Sequence, residues 1–215
     1  MRQSSRRKGM DASRKEAIRQ DMKIIGVTGG IGSGKSEVLL LLKTKYKAYV
    51  CQLDEVAKNL QRRGTDCYRK IIAEFGEDVL RADGELERQK LSEKVFENAD
   101  KLKVLNEIVH PEVKAWVCSD IERQKKKGQK FYVIEAALLI EAGYKDICDE
   151  IWYIYVPEKI RMERLKMSRG YTEEKTKKIF ASQLSEETFR ENCTIVIDNS
   201  GTFENTVRQI GDRLL

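Results

Sequence analysis

Eight consecutive residues, Gly29-Gly30-Ile31-Gly32-Ser33-Gly34-Lys35-Ser36, fit the pattern G-x-x-x-x-G-K-[ST]. Each residue type in it suits phosphate chemistry. Glycines let backbone N–H groups turn inward around phosphate oxygens, and a helix N-terminus adds partial positive charge. A lysine at position 35 can reach β and γ phosphates, and the Ser36 hydroxyl can ligate Mg²⁺. An ordinary glycine-rich turn has no need of Lys35 and Ser36 at that spacing. The context fits as well: Lys23–Thr28 reads as a buried strand before the loop, and Glu37–Lys43 as a helical run after it. The sequence therefore predicts that ATP and Mg²⁺ bind at Gly30, Ile31, Gly32, Ser33, Gly34, Lys35, Ser36 and Glu37, with Ser36 as the metal ligand.

Other candidates surround this motif. Asp54 follows a second apolar run, Ala48–Cys51, so it falls at the end of a strand, where open α/β sheets bind ligands. A carboxylate there could take a proton from a substrate hydroxyl or orient it towards a γ-phosphate. The competing reading is a helix N-cap before Glu55-Val56-Ala57-Lys58. Arg164 and Arg169 lie on and after a helix opened by Pro157, and Arg169-Gly170 begins a loop. They suit a lid whose cations neutralise charge during transfer. Arg161 and Lys166 read as a solvated face of that helix. There is no N/T-K-x-D motif of the GTPase kind, and Glu135 closes the third strand. The one histidine, His110, has no nucleophile–carboxylate set around it and reads as a pocket-shaping residue or as a cap before Pro111.

The elements that must position these residues alternate. Phe131–Ile134, Ile151–Val156 and Thr194–Ile197 read as further strands. Thr172–Gln183, capped by Thr172, and Phe203–Leu215 read as helices. Alternation of short apolar strands with helices argues for an α/β fold with a parallel sheet covered on both faces. From about 65 to 127 the pattern is helical throughout, which reads as an insertion. With 215 residues, 40% hydrophobic and 35% charged, the chain suits one domain with a sizeable core. The longest apolar run, Val38–Leu42, is far short of the ~20 residues of a membrane span.

The net charge is +6, and residues 1–21 carry seven cations and three anions of the total. This basic arm lacks an apolar stretch and reads as a disordered tail or a mis-assigned start. The remainder is nearly balanced, so no nucleic-acid partner is expected. Five scattered cysteines without a CxxC pair, and one histidine, point to reduced thiols in a cytoplasmic protein and away from structural zinc. The residues alone leave open which small P-loop kinase this is; a nucleoside monophosphate or nucleoside is one alternative acceptor. A nucleotide-regulated nucleic-acid binder using the arm is a reading of another class.

From Met22 to Leu215 the chain resembles the dephospho-CoA kinase family, P-loop kinases of coenzyme A biosynthesis. The resemblance rests on Thr28–Ser36, Asp54-Glu55-Val56-Ala57-Lys58, Phe75-Gly76, Asp83-Gly84, Arg88, Leu91, Phe96, Leu105-Asn106 and Val109-His110-Pro111. It continues through Leu138-Leu139-Ile140-Glu141, Arg164-Leu165, Arg169, Gln183 and Ile197–Gly201. It implies a three-layer P-loop NTPase fold with a five-stranded, mostly parallel sheet, a helical substrate-binding insertion and a lid at about 165–190. It implies ATP-dependent phosphorylation of the ribose 3′-hydroxyl of dephospho-CoA, with Mg²⁺, in a monomer or small homo-oligomer. Carried onto this chain, Asp54 would be the base or the acid that orients the hydroxyl, Lys35 and Ser36 would serve phosphates and metal, and Arg169 with Arg164 would close over ATP. Asn199 would fall near the adenine, and Arg88, His110 and Glu141 would face the acceptor or support its helical subdomain. Three positions depart from the family: Glu37 replaces a usual Thr, Gln52 a common acid, and Ala137 a usual Pro.

Overall fold

In the computed structural model, which describes residues 22–96 and 99–214, five apolar runs form one sheet in the order β2-β3-β1-β4-β5. The strands are β1 (Lys23–Thr28), β2 (Tyr49–Gln52), β3 (Phe131–Glu135), β4 (Glu150–Tyr155) and β5 (Ile195–Asp198). The basic arm, and the side chain of Phe96, lie outside the described residues. The chain divides into two compact units, residues 51–123 and the remainder, and β2 runs across their boundary. The helical insertion expected over about 65–127 thus corresponds to a unit that starts earlier, at Cys51, and ends at Arg123.

In the sheet unit, β1 pairs in parallel with β3 and with β4, and β4 in parallel with β5. Parallel strands need crossover connections, and helices supply them. Helix α1 (Lys35–Lys45) buries Val38, Leu39 and Leu42, a one-turn stripe. These pack with Ile25, Val27, Val133, Trp152, Ile154, Ile197 and Ile210 into one core. Trp152 is fully buried, which stabilises by roughly 4–6 kcal/mol as an upper bound. Its indole Nε1 donates to Glu150 Oε2 at 2.8 Å, and Lys23 Nζ pairs with Glu150 Oε1 at 2.7 Å. Burial pushes the Glu150 carboxyl up, but these two donors outweigh it and hold the group below its ordinary range.

Three helices follow β4 in the same unit. Helix α6 (Glu158–Arg169) starts after Pro157 and ends at Gly170, whose φ of 63° permits the left-handed cap. Helix α7 (Glu173–Ala181) is capped as expected, Thr172 Oγ1 accepting from Lys175 N at 3.2 Å. Helix α8 (Glu186–Asn192), not foreseen, is capped in the same way by Ser185 Oγ, which accepts from Thr188 N at 3.1 Å. Helix α9 (Phe203–Leu214) closes the unit.

The other unit is helical: α2 (Leu53–Leu60), α3 (Asp66–Phe75), α4 (Arg88–Phe96) and α5, which spans Ala99–Lys126. A short 3₁₀ turn, Glu77–Val79, and an isolated antiparallel bridge between Leu80 and Leu86 interrupt the helical pattern read from the sequence. On α5 the buried residues Val109, Val113, Val117 and Ile121 recur every fourth position, one apolar stripe along the helix. Neither Asp54 nor His110 caps a helix. Gln52 is the N-cap of α2, so Asp54 stands in its first turn and caps nothing. His110 and Pro111 lie inside α5, so His110 is no cap either.

All five cysteines are free: Cys51 and Cys67 buried, Cys148 and Cys193 half-buried, Cys118 exposed. Burial pushes the Cys148 and Cys193 thiols up to about 12, so neither is a thiolate nucleophile at neutral pH. Among the described residues no helix is long and apolar enough to cross a membrane.

Candidate functional site

The glycine motif forms the link between β1 and α1. Gly34 is the N-cap of α1 in the left-handed conformation (φ 82°), and no side chain caps the helix. The helix therefore offers its N-terminal partial charge to the loop. Only glycine suits this position. A Cβ there would meet left-handed strain and lie 2.3 Å from Asn199 Nδ2. The loop folds back on itself, Ser33 N donating to Gly30 O at 3.2 Å. Lys35 turns its Nζ over the loop to donate to Gly29 O at 2.6 Å, so the ammonium sits beside the backbone that would cradle a phosphate.

Asn199, just past β5, braces the loop from behind. It is buried (3% exposed), and its Nδ2 donates to Ser33 O at 2.8 Å. Thr206 Oγ1, itself buried, donates to Asn199 Oδ1 at 2.8 Å, and the Asn199 N–H donates to Tyr155 O at 2.9 Å. Both ends of the carboxamide are thus engaged. Asn199 meets the nucleotide site through the loop it supports. Arg164 joins the same brace, its Nη2 donating to Asn199 O at 2.9 Å.

The sequence missed two residues of this site. Arg161, read as solvated, instead lies against the loop: its Nη1 is 3.5 Å from both Ile31 O and Gln183 Oε1. Its guanidinium covers the Phe180 ring at 4.3 Å. The signal was present, because Arg161 precedes the buried Leu165 by one turn and shares its face. Both lie near Gly32, where a Cβ would be 3.1 Å from Leu165 Cγ and from Arg161 O. Gln183 accepts from Ile31 N at 3.2 Å, which its place in the family pattern did not specify.

The remaining sheet-unit candidates are more open. Arg169 ends α6, exposed, with its guanidinium 6.0 Å from the Tyr171 ring. Ser36 and Glu37 are exposed in the first turn of α1, and Glu141 is exposed in the turns after β3.

In the helical unit, Arg88 opens α4 and lines a cleft of about 670 Å³ with Lys58, Arg62 and Arg81, together with Glu55, Glu85 and Glu87. The hydrogen bond from Lys58 holds the Glu55 carboxyl below its ordinary range, and Arg88 and Arg62 lower it further. Asp54 is exposed in the first turn of α2, next to Glu55 of this cleft. His110 lies elsewhere, exposed, on a shallow groove of about 460 Å³ along α5 with Leu102, Asn106 and Pro111.

The loop fits a nucleotide phosphate on its own evidence. It has lysine and helix-terminus charge, and the buried Ser33 Oγ has no hydrogen-bond partner. The donor set also fits magnesium carried by the nucleotide. Among the described residues no group of three or more His, Cys, Asp or Glu side chains could hold a metal. Mg²⁺ typically takes one or two protein ligands and completes its shell with phosphate and water.

Comparison with known proteins gives a concordant answer. A family model for CoaE, dephospho-CoA kinase, matches residues 23–205. A dephospho-CoA kinase of Carboxydothermus hydrogenoformans is 38% identical over 187 residues, 87% of this chain and 90% of that protein. The crystal structure of TT1252 from Thermus thermophilus matches with a TM-score of 0.76 at 28% identity, over 91% of this chain and 97% of that one. A dephospho-CoA kinase from Campylobacter jejuni shares the fold at TM-score 0.67 and 22% identity, over 89% and 94% of the two chains. With a family model spanning most of its length and a relative of that similarity, the chain belongs to the dephospho-CoA kinase family.

Proposed function

We propose that this protein transfers the γ-phosphoryl group of ATP to the ribose 3′-hydroxyl of dephospho-CoA, giving coenzyme A and ADP. The observation that carries the reading is a formed phosphate loop, with Lys35 turned over it, in a chain of this family. In the proposed step the Asp54 carboxylate takes the hydroxyl proton. The 3′-oxygen bonds to the γ-phosphorus as the bond to the β–γ bridging oxygen breaks, and ADP leaves with that electron pair. Lys35 and the loop N–H groups stabilise charge on the phosphoryl oxygens. Magnesium bound with ATP would neutralise part of the phosphate charge, and the Ser36 hydroxyl would hold it.

The remaining roles follow from position and charge. Arg169, at the exposed end of α6, is the lid cation of the reading, and Arg164 and Asn199 serve ATP by holding the loop. The cations at Lys58, Arg62, Arg81 and Arg88 suit the diphosphate of dephospho-CoA, and their cleft supports that acceptor over an uncharged nucleoside. His110 and Glu141 are assigned to the acceptor side by family resemblance alone. The five free thiols support a cytoplasmic location.

The test is direct. Purified protein with ATP, Mg²⁺ and dephospho-CoA is expected to yield equimolar ADP and coenzyme A, identified by mass. Nucleoside monophosphates in parallel are expected to remain unphosphorylated. Phosphorylation of a monophosphate with none of dephospho-CoA would overturn the acceptor. Asp54→Asn is expected to keep ATP affinity and lose about 10²–10⁴-fold in kcat; near-normal turnover would remove Asp54 as the base.

A further inference from the structure

Arg161 and Gln183 bring polar groups onto the phosphate loop that the glycine motif does not include. Gln183 Oε1 accepts from Ile31 N at 3.2 Å, and Arg161 Nη1 lies 3.5 Å from that same oxygen and from Ile31 O. The approach depends on Gly30. A Cβ there would stand 2.0 Å from Arg161 Nη1 and 3.1 Å from Gln183 Oε1.

The guanidinium is held in place yet poorly paired. Phe180 covers one face at 4.3 Å, both Nη1 contacts are at the outer limit of hydrogen bonding, and the buried Nε has no partner. Among the described residues no carboxylate pairs with it. A half-buried cation with an unused donor lacks an anion. Its planar fork matches phosphate oxygens. The glutamine oxygen is a neutral acceptor on a loop built for charged ones. A phosphate oxygen on the same N–H makes a charge-assisted bond, roughly twice as strong.

We propose that Gln183 and Arg161 form a displaceable latch on the phosphate loop. Gln183 holds the Ile31 N–H in place of a phosphate oxygen of the nucleotide, and Arg161 pairs with that phosphate once the glutamine leaves. The latch rests on the ATP reading above and adds two residues to it. It makes Arg161 a binding group for the β or γ phosphate and Gln183 a competitor of ATP, not a ligand.

Calorimetric titration of the full-length chain with ATP, ADP and AMP tests this. Arg161→Gln is expected to weaken ATP and ADP binding about tenfold while AMP affinity stays within about twofold, with Arg161→Lys recovering part of the loss. Gln183→Ala is expected to bind ATP about two- to fivefold more tightly than the parent, because the competing acceptor is gone. A structural staple behaves differently: Gln183→Ala then weakens ATP binding along with Arg161→Gln, or Arg161→Gln weakens AMP as much as ATP. Either result overturns the latch, as does wild-type ATP affinity in Arg161→Gln. Should Arg161→Gln fail to fold, the sign of the Gln183→Ala effect decides alone. Failure of the parent chain to bind ATP would remove the kinase reading as well; parent binding with unaltered variants removes only the latch.

Discussion

The phosphate loop and the helical unit hold their candidate residues in opposite ways. At the loop, backbone geometry does the holding: Gly34 at φ 82°, Lys35 on Gly29 O, and the Asn199–Ser33 bond beneath. Every one of these is a close contact that an added methyl or a lost hydrogen bond would disturb. In the helical unit, Asp54, Arg88 and His110 are exposed, and the ion pairs around them, such as Lys58–Glu55 and Arg81–Asp83, lie on the surface. A loop that binds phosphate through backbone N–H groups must be rigid before the ligand arrives. A surface that recognises an acceptor through long charged side chains can be ordered by the ligand itself, at a cost in side-chain entropy.

The sharpest way to break this contrast is a methyl group. Gly34→Ala combines a left-handed backbone with a Cβ 2.3 Å from the buried Asn199 amide. ATP binding is expected to fall at least a hundredfold, by the loss of preorganised phosphate donors. Gly128→Ala is the control: its φ is 75°, yet nothing lies within 4 Å of its Cβ. It is expected to cost only the strain, about 1–2 kcal/mol in denaturant melts, and to leave ATP affinity unchanged. If the two variants bind ATP equally well, the loop is not the rigid element described above.

The same contrast explains what the sequence could and could not reveal. The loop was readable because its function is written in backbone constraints: glycines where no side chain fits, and a lysine and a serine at fixed offsets. The alternation of strands and helices was readable for a similar reason, since parallel strands need helical crossovers. Arg161 was not, because its partner Gln183 is 22 residues away and on another element. Its period-4 relation to Leu165 was visible but gave only a face, not what that face meets. Asn199 was placed near adenine by resemblance alone; its bonds to Ser33 and Thr206 depend on the β5-to-α9 turn. Helix α8 escaped although Ser185 followed by Glu186 and Glu187 is a fair cap and acidic first turn. Asp54 looked like a cap because helix starts are uncertain by a residue or two, and α2 starts at Leu53.

A smaller effect sharpens the helical side. Arg88→Ala removes one of four cations from a cleft whose carboxylates Glu55, Glu85 and Glu87 would then weigh more. The KM for dephospho-CoA is expected to rise about five- to tenfold, as for an exposed charge-assisted contact, while the KM for ATP stays put. A rise in the ATP KM instead would put Arg88 on the nucleotide side and blur the division of labour.

The smallest effect concerns ion pairs within the two regions. Lys23–Glu150 lies at the start of β1 and β4, with side-chain exposures of 30% and 24%, against 44% and 59% for Lys58–Glu55. Glu150→Gln keeps an oxygen for the Trp152 indole and replaces the carboxylate oxygen on Lys23 with an uncharged N–H₂ group. It is expected to lower stability at neutral pH by about 1 kcal/mol, whereas Glu55→Gln is expected to change nothing measurable. The pH dependence has a definite sign. The Glu150 carboxyl sits below its ordinary value of 4.5 in the folded protein, so the unfolded chain binds its proton first. The contribution is complete above that value and fades as pH falls through the lower folded value. Urea melts of the parent and Glu150→Gln should therefore differ at pH 7 and converge in the acid range below 4.5. A gap that persists unchanged in acid would mean that the loss comes from setting an amide N–H₂ against the Lys23 ammonium, with the carboxylate charge contributing nothing.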